Sequence, residues 1–360
     1  MKHLLVDITA HGFGHLAQTA AVLNALNYHD LNITIRSLAP ETILRDRIQT
    51  NFTLIPYQQD NGMTMHDALN VNAAASFQWH YDFHTHYPQK INQAIEALQT
   101  LKPDVLFSDI PYLSLEAAHA LNIPSIALCS LNWADVFQAY CGSWAGSQPI
   151  HTQMLHAYQK ATLFLQPTPS MPMPTLSNTQ TIEVLAAQGQ PQKPLLRQRL
   201  GLSHHTQLVL VSLGGIGMEY PLDTWPHIEN VAWIFPDQVL TQSRHDWRPQ
   251  SLAHMTYLDL LASCDAVLTK TGYGTQTEAV INQIPALCID RGDWPEQPYL
   301  KAWHEQQGEV IYIDWGVILQ GQFSAAIQHL LAVAWTKPRP VHQGAQQVAH
   351  IIQHYLHKYD

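Results

Sequence analysis

The chain of 360 residues is 46% apolar, enough for two domains of ordinary size with a core in each, and only 13% of its residues are charged. Its formal net charge of −10, with histidines neutral, argues against an unassisted grip on nucleic acid or on an anionic membrane surface. A small phosphate ligand stays within reach, because it needs only a few backbone N–H groups. Four cysteines, Cys129, Cys141, Cys264 and Cys288, are widely spaced with no CxxC pair. Cys129, Cys264 and Cys288 sit in apolar runs and read as buried small side chains, not as a disulfide framework or a zinc cluster.

Along the chain a short apolar run, a turn and an amphipathic stretch alternate, the pattern of a parallel sheet covered on both faces. In the first half the expected strands are Leu4–Thr9, Ile33–Leu38, Phe52–Pro56, Val105–Asp109 and Ser125–Ser130. The clearest helical pattern runs from about Ser76 to Leu101, with Ile91, Ile95 and Leu98 on one stripe. The Pro-rich stretch QPTPSMPMP (Gln166 to Pro174) breaks the pattern, and a polar segment ends at Pro194, so the linker is expected between about Pro167 and Pro194. The rhythm then restarts with Leu208–Leu213, Val231–Phe235, Ala266–Lys270, Ala286–Asp290 and Val310–Asp314. Helical stretches around Phe323–Trp335 and Val341–His357 close the chain.

The expected architecture is thus α/β, with two Rossmann-like domains facing a central cleft: residues 1–170, then 195–340, with 341–360 as a terminal helix packing back on the first domain. The N-terminus enters a strand-like run without the longer apolar stretch of a signal peptide. Nothing approaches the roughly 18 apolar residues of a membrane span. A cytoplasmic location is expected, and the sequence leaves peripheral membrane contact open.

Five segments carry candidate chemistry. His11-Gly12-Phe13-Gly14-His15 follows the first strand; its glycines allow a tight turn at the carboxyl edge of the sheet, and His15 starts the next helix, where a neutral imidazole can take a proton from an acceptor hydroxyl. The bland alternative is a histidine that only packs at the helix start. Asp109 ends VLFSD at the same edge and suits an orienting carboxylate for an imidazole, or equally a helix N-cap with Pro111 near N1 or N2.

The turn Ser212-Leu213-Gly214-Gly215-Ile216-Gly217 offers backbone N–H groups for phosphate. The stretch from Asp265 to Ala279 reads strand, Gly-rich turn, helix. Gly272, Gly274 and Thr275 suit a diphosphate, Lys270 adds charge, and Glu278 is placed to accept ribose hydroxyls. Thr275-x-x-Glu278 is also a capping box, which is the competing reading of Glu278. Asp290 to Gln297 offers carboxylates and an amide for sugar hydroxyls beside Trp294, or is a solvated loop entering a helix with Pro295 at N1. Of the 22 histidines the densest group is His80, His84 and His86, for which a polar helix or loop face is expected over a metal site. No metal site is expected elsewhere.

The stretch DAVLTKTGYGTQTEAVINQIPALCI resembles the donor-binding segment of GT-B glycosyltransferases, both MurG-like and UDP-glycosyltransferase-like. Taken with HGFGH, LFSDIPYLSLEAAHALNIPSIAL, the SLNW of Ser130 to Trp133 and Glu296-Gln297-Pro298, it resembles more closely the glycosyltransferase-like domain that L-arabinokinases fuse to a sugar kinase, in the same order over roughly Met1 to Leu300. The resemblance implies inverting transfer from a nucleoside-diphosphate sugar, usually a UDP-sugar, to an unknown acceptor hydroxyl, with no metal or cofactor. It implies His15 as the catalytic base partnered by Asp109, and Glu278 on the ribose. Gly272, Gly274 and Thr275 fall on the diphosphate loop, and Glu296 and Gln297 on the loop that reads the sugar. His11, Gly14 and Trp133 are expected on the acceptor side, near the Ser76–His86 region. Gln18 replaces the proline of the common GHxxP form, and the pair Glu296-Gln297 replaces Asp-Gln. Two alternatives stand beside transfer: a non-catalytic nucleotide-sugar-binding protein, and a UDP-sugar epimerase.

Overall fold

The computed structural model describes residues 1–358. They build two parallel sheets with helices on both faces, and the chain divides into two compact units. The first comprises Met1–Leu185 with the final helix Gly344–His357; the second is Ala186–Val341.

The first unit's strands are β1 (Lys2–Ile8), β2 (Leu31–Arg36), β3 (Thr53–Ile55), β4 (Val105–Asp109), β5 (Ser125–Leu128), β6 (Leu163–Pro167) and β7 (Thr179–Ile182). They lie in the order β3-β2-β1-β4-β5-β6-β7, every pair parallel. The second unit's strands are β8 (Gln207–Ser212), β9 (Val231–Phe235), β10 (Trp247–Pro249), β11 (Ala266–Lys270), β12 (Ala286–Ile289) and β13 (Val310–Ile313), in the order β10-β9-β8-β11-β12-β13. Both sheets share one topology: the chain winds outward from the first strand, then returns to its other side. The order reverses between β1 and β4 in one unit and between β8 and β11 in the other. At such a switch point the loops leaving the carboxyl ends diverge and leave a crevice for a ligand. The two-Rossmann expectation is met.

The central strands β4, β5, β9 and β12 are buried at every position. Helices cover both faces, so their sequences are dominated by apolar residues without alternation. Three strands escaped the sequence reading. β7 (TQTI) is a half-exposed edge strand, β10 (WRP) is three residues ending in proline at the edge of the second unit's sheet, and β6 (LFLQP) runs into the Pro-rich stretch. β7 also falls within the span expected to be linker.

The long helix expected from Ser76 to Leu101 is two helices, Ala73–Thr85 and Tyr87–Leu101. They break at His86 (φ −105°, ψ 17°), with Pro88 in the first turn of the second; proline has no N–H to continue the preceding helix. The terminal helix Gly344–His357 buries Ala345, Val348, Ala349, Ile352 and Leu356, one stripe at helical spacing, against the helix Phe13–Ala25 and β4. No helix among the described residues is long and apolar enough to cross a membrane.

Candidate active site

In the first unit, β1 ends at Ile8, and Gly12 (φ +80°, ψ 177°) is the N-cap of the helix Phe13–Ala25. That backbone conformation strains any residue with a Cβ, which is why glycine sits here. His15 follows in the helix's first turn. β4 pairs with β1, Ile8 opposite Asp109, so the carboxylate at the end of β4 meets the imidazole across the switch point.

His15 Nδ1 lies 2.9 Å from Asp109 Oδ1, and both side chains are buried. Thr19, one turn further along the same helix, donates its hydroxyl to Asp109 Oδ2 at 3.1 Å. Cys129 Sγ stands 3.6 Å from His15 Nδ1. Burial pushes the Asp109 carboxyl up from its ordinary range; the nearby His15 and hydrogen bonds from His15, Thr19 and Cys129 pull it down. Nδ1 is the nitrogen engaged by the carboxylate, which leaves Nε2 as the one to present a lone pair to an incoming hydroxyl.

The N-cap reading of Asp109 falls. The helix Leu113–Ala120 has Tyr112 at its N-cap, which puts Pro111 outside the helix. Asp60, brought in from a distant loop, serves that terminus: it accepts the Tyr112 N–H at 2.6 Å.

Trp133 is fully buried and walls this site, 4.8 Å from the His11 ring and 5.6 Å from the His15 ring, centroid to centroid. Asn132 fixes it by capping the helix Trp133–Cys141, accepting from the Asp135 N–H at 2.8 Å. Gly62 lies flat against the indole, where an added Cβ would come within 2.5 Å of Trp133 Cζ2. Gly62→Ala should therefore destabilise the fold by about 1–3 kcal/mol through forced displacement of a buried ring, read as a fall in melting temperature. An unchanged midpoint would mean the indole can move.

The expectation of a polar face for His80, His84 and His86 is corrected for the first two. His80 is fully buried, its Nε2 2.8 Å from Gly62 O. His84 bridges Gln153 (2.7 Å) and Tyr112 OH (2.9 Å). Burial lowers both imidazoles to about 4, so they are neutral at pH 7. They pack the helix Ala73–Thr85 into the domain. His86 bonds Asp82 O at 2.9 Å on the surface. The described residues gather three close metal-ligand atoms in two other places, His15–Asp109–Cys129 and His227–His245–Asp246; in the second, Arg244 already holds Asp246 through both carboxylate oxygens.

In the second unit the glycine turns after β8 and β11 lie side by side at the corresponding switch point. Lys270 ends β11 with its ammonium beside both: a Cβ on Gly214 would stand 3.6 Å from Lys270 Cε, and one on Gly272 would stand 3.8 Å from Nζ. Gly214 has φ +90°; Gly215 follows it in the turn. Tyr257 ties the turns together, its hydroxyl 2.9 Å from Ser212 Oγ and 3.3 Å from Thr275 Oγ1. The helix Tyr273–Asn282 starts at Gly272, whose N–H donates to Gln276 Oε1 at 2.7 Å. Gln276 Nε2 in turn reaches His304 Nδ1 (3.0 Å) and Tyr312 OH (2.7 Å). Neither Tyr257 nor this buried network was read from the sequence, because no local motif links residues so far apart in the chain.

Gly274 and Thr275 belong to the helix's first turn, where N–H groups lack intrahelical partners. The capping-box reading of Glu278 is corrected: the N-cap is Gly272, so Thr275 is at N3 and Glu278 three residues deeper, its side chain buried. The Asp290–Gln297 loop is only partly solvated, with Gly292 and Asp293 exposed. Arg291, Trp294, Glu296 and Gln297 are all buried, and the helix begins at Gln297 with Pro298, not Pro295, in its first turn. The Arg291 guanidinium stacks over Trp294 at 3.8 Å. Trp294 Nε1 donates to Glu296 Oε2 at 3.2 Å, while Glu296 Oε1 has no hydrogen-bond partner among the described residues. Gln297 is occupied within the loop, accepting from the Arg291 N–H at 2.5 Å.

No family model matches the chain. It is similar to the L-arabinokinase of Arabidopsis thaliana, 23% identical over an alignment of 378 residues that takes in 98% of this chain but 34% of that protein. It thus spans about a third of that relative's length. Among solved structures it is similar to CalG4, the calicheamicin glycosyltransferase (16% identity, TM-score 0.65, 99% of this chain and 98% of that one). It is also similar to a putative UDP-N-acetylglucosamine 2-epimerase from Listeria monocytogenes (12% identity, TM-score 0.57, 100% and 98%). The fold is that of the GT-B glycosyltransferases.

Proposed function

We propose that this protein is an inverting glycosyltransferase that moves a sugar from a nucleoside-diphosphate sugar, a UDP-sugar first of all, to an acceptor hydroxyl. The observation that carries the reading is the buried His15–Asp109 pair at the switch point of the first unit. His15 Nε2 takes the acceptor's proton, and Asp109 holds the ring and stabilises the imidazolium that forms. The acceptor oxygen bonds to the anomeric carbon as the bond from that carbon to the diphosphate oxygen breaks, inverting the centre. The nucleoside diphosphate leaves with the electron pair.

In the second unit, Gly272, Gly274 and Thr275 at the helix start take the diphosphate, with Gly214, Gly215 and Lys270 beside it. Glu278 takes the ribose. Glu296, with one open oxygen, takes sugar hydroxyls, and Gln297 holds the loop that presents it. Trp133 and His11 border the acceptor's approach to His15, beside Gly14. No step is assigned to a metal.

The test is a thermal-shift screen with UDP-, dTDP-, GDP- and ADP-sugars. A ligand that binds only the folded chain raises its melting point, by an amount worth about 2.7 kcal/mol at a hundredfold excess over Kd. The screen should give a shift for one nucleotide class that Glu278→Ala removes. No shift with any nucleotide sugar would sink the reading. The similarity to an epimerase favours one second reading, isomerisation of the donor. It predicts a changed donor sugar with no acceptor present, whereas transfer leaves the donor intact until an acceptor is added.

A further inference from the structure

The second unit holds a cation that no carboxylate contacts directly among the described residues. Lys270 is half-buried at the end of β11, its ammonium against the Gly214 and Gly272 turns, and it makes no ion pair or side-chain hydrogen bond among the described residues. The other cations near a carboxylate are paired: Lys301 with Asp290 at 3.1 Å, Lys193 and Arg197 with Asp265 at 2.7 and 3.2 Å. The groups that act on Lys270 are Arg291 and Glu296 from the loop after β12 and the thiol of Cys288 on β12. Burial pushes that thiol up to about 12, so it carries no charge near neutrality. Around Lys270, then, Arg291 opposes the charged form and Glu296 favours it, in a place where burial penalises the ammonium.

We propose, resting on the donor reading above, that Lys270 couples donor binding to proton uptake. In the empty site it is held partly neutral, and an arriving diphosphate supplies the anion that lets it charge. Binding of a nucleoside diphosphate therefore draws in a proton, and Arg291 sets the pH range in which this happens.

Burial first, and Arg291 second, lower the Lys270 ammonium to about 7, and a diphosphate raises it. Below the empty-site value the lysine is already charged and adds no pH dependence of its own. Above it each binding event must import a proton, so affinity falls by up to about tenfold per pH unit until the bound-state value is passed.

The experiment is calorimetric titration of the intact chain with UDP at pH 7, 8 and 9, each in two buffers of different ionisation enthalpy. Above pH 7 the terminal phosphate of UDP is already ionised, since a phosphomonoester titrates near 6. The expected result at pH 8 is uptake of most of one proton per UDP, with affinity falling at least tenfold from pH 7 to pH 9. Lys270→Met should bind more weakly at pH 7, take up no proton and lose the pH dependence. Arg291→Met, which keeps the apolar stem over Trp294, should shift the onset of uptake to higher pH. UDP binding with no proton exchange in the native chain, or with equal exchange in Lys270→Met, overturns the inference and leaves the donor reading standing. If Lys270→Met does not fold, the native chain and Arg291→Met decide by themselves. Failure of UDP, dTDP, GDP and ADP alike to bind the folded chain overturns both.

Discussion

His15→Ala should lower turnover about 10²–10⁴-fold while leaving the thermal shift given by the donor unchanged. Turnover is read as release of the nucleoside diphosphate in the presence of an acceptor library. The size follows from what a general base does. Without Nε2 the acceptor hydroxyl must lose its proton to water, or attack while still protonated. The unchanged shift follows from location, since His15 belongs to the first unit and the glycine turns, Lys270 and Glu278 to the second. Loss of donor binding together with turnover would move His15 into the donor site. Turnover within threefold of the native chain would remove it from the chemistry.

Asp109→Asn sharpens the same test, because it keeps the shape and changes the proton inventory. The carboxylate accepts from both His15 and Thr19. An amide facing His15 with its N–H would force Nδ1 to accept and place the remaining proton on Nε2, the wrong tautomer for a base. Turnover should fall on the scale of His15→Ala, and the double variant little further, since the pair acts as a unit. Independent, multiplying losses would show that the two residues do not share one step.

How legible all this was in the sequence depended on how locally each feature is encoded. Val105–Asp109, Val231–Phe235 and Ala266–Lys270 are bounded correctly because a parallel strand covered on both faces opens on an apolar run without alternation, closed in two of them by the polar pairs Ser108-Asp109 and Thr269-Lys270. β10, WRP, carries no such signal: what makes it a strand is the neighbouring β9. The competing readings of Asp109 and Glu278 could not be separated from local spacing, because a cap and a ligand-facing carboxylate occupy the same few positions. Tertiary partners removed the cap reading of Asp109: Asp60 took the N-cap duty from 52 residues away. For Glu278 the helix start at Gly272 removed the capping box. The burial of His80 and His84 was hidden for a similar reason. WHYDFHTHYP mixes aromatic and polar side chains, and only packing against Gly62, Tyr112 and Gln153 tells which face turns inward.

The largest stability effect is expected from a pair the sequence reading never singled out. Arg36, at the end of β2, clamps Asp7 on β1 with Nε and Nη2, each 2.7 Å from a separate carboxylate oxygen; their side chains are 3% and 0% exposed. The Gln59 amide, with its oxygen toward the guanidinium, adds an acceptor at 2.7 Å. Arg36→Met removes the cation and keeps much of the volume, leaving a carboxylate with neither water nor partner. Such a break costs about 3–5 kcal/mol, because desolvation is no longer offset by the pair's attraction. At about 2–4 °C per kcal/mol for a unit of this size, the first unit's melting point should drop roughly 6–20 °C. Amide exchange in β1 and β2 would locate the loss. Asp7→Leu with Arg36→Met should recover much of it, since two apolar side chains have no charge to desolvate. A single-variant cost below about 1 kcal/mol would mean that Asp7 is held by other groups. The same strand leads directly into the His11–His15 turn, so a chain weakened at Asp7 should also lose the register between Ile8 and Asp109 that brings His15 to its carboxylate.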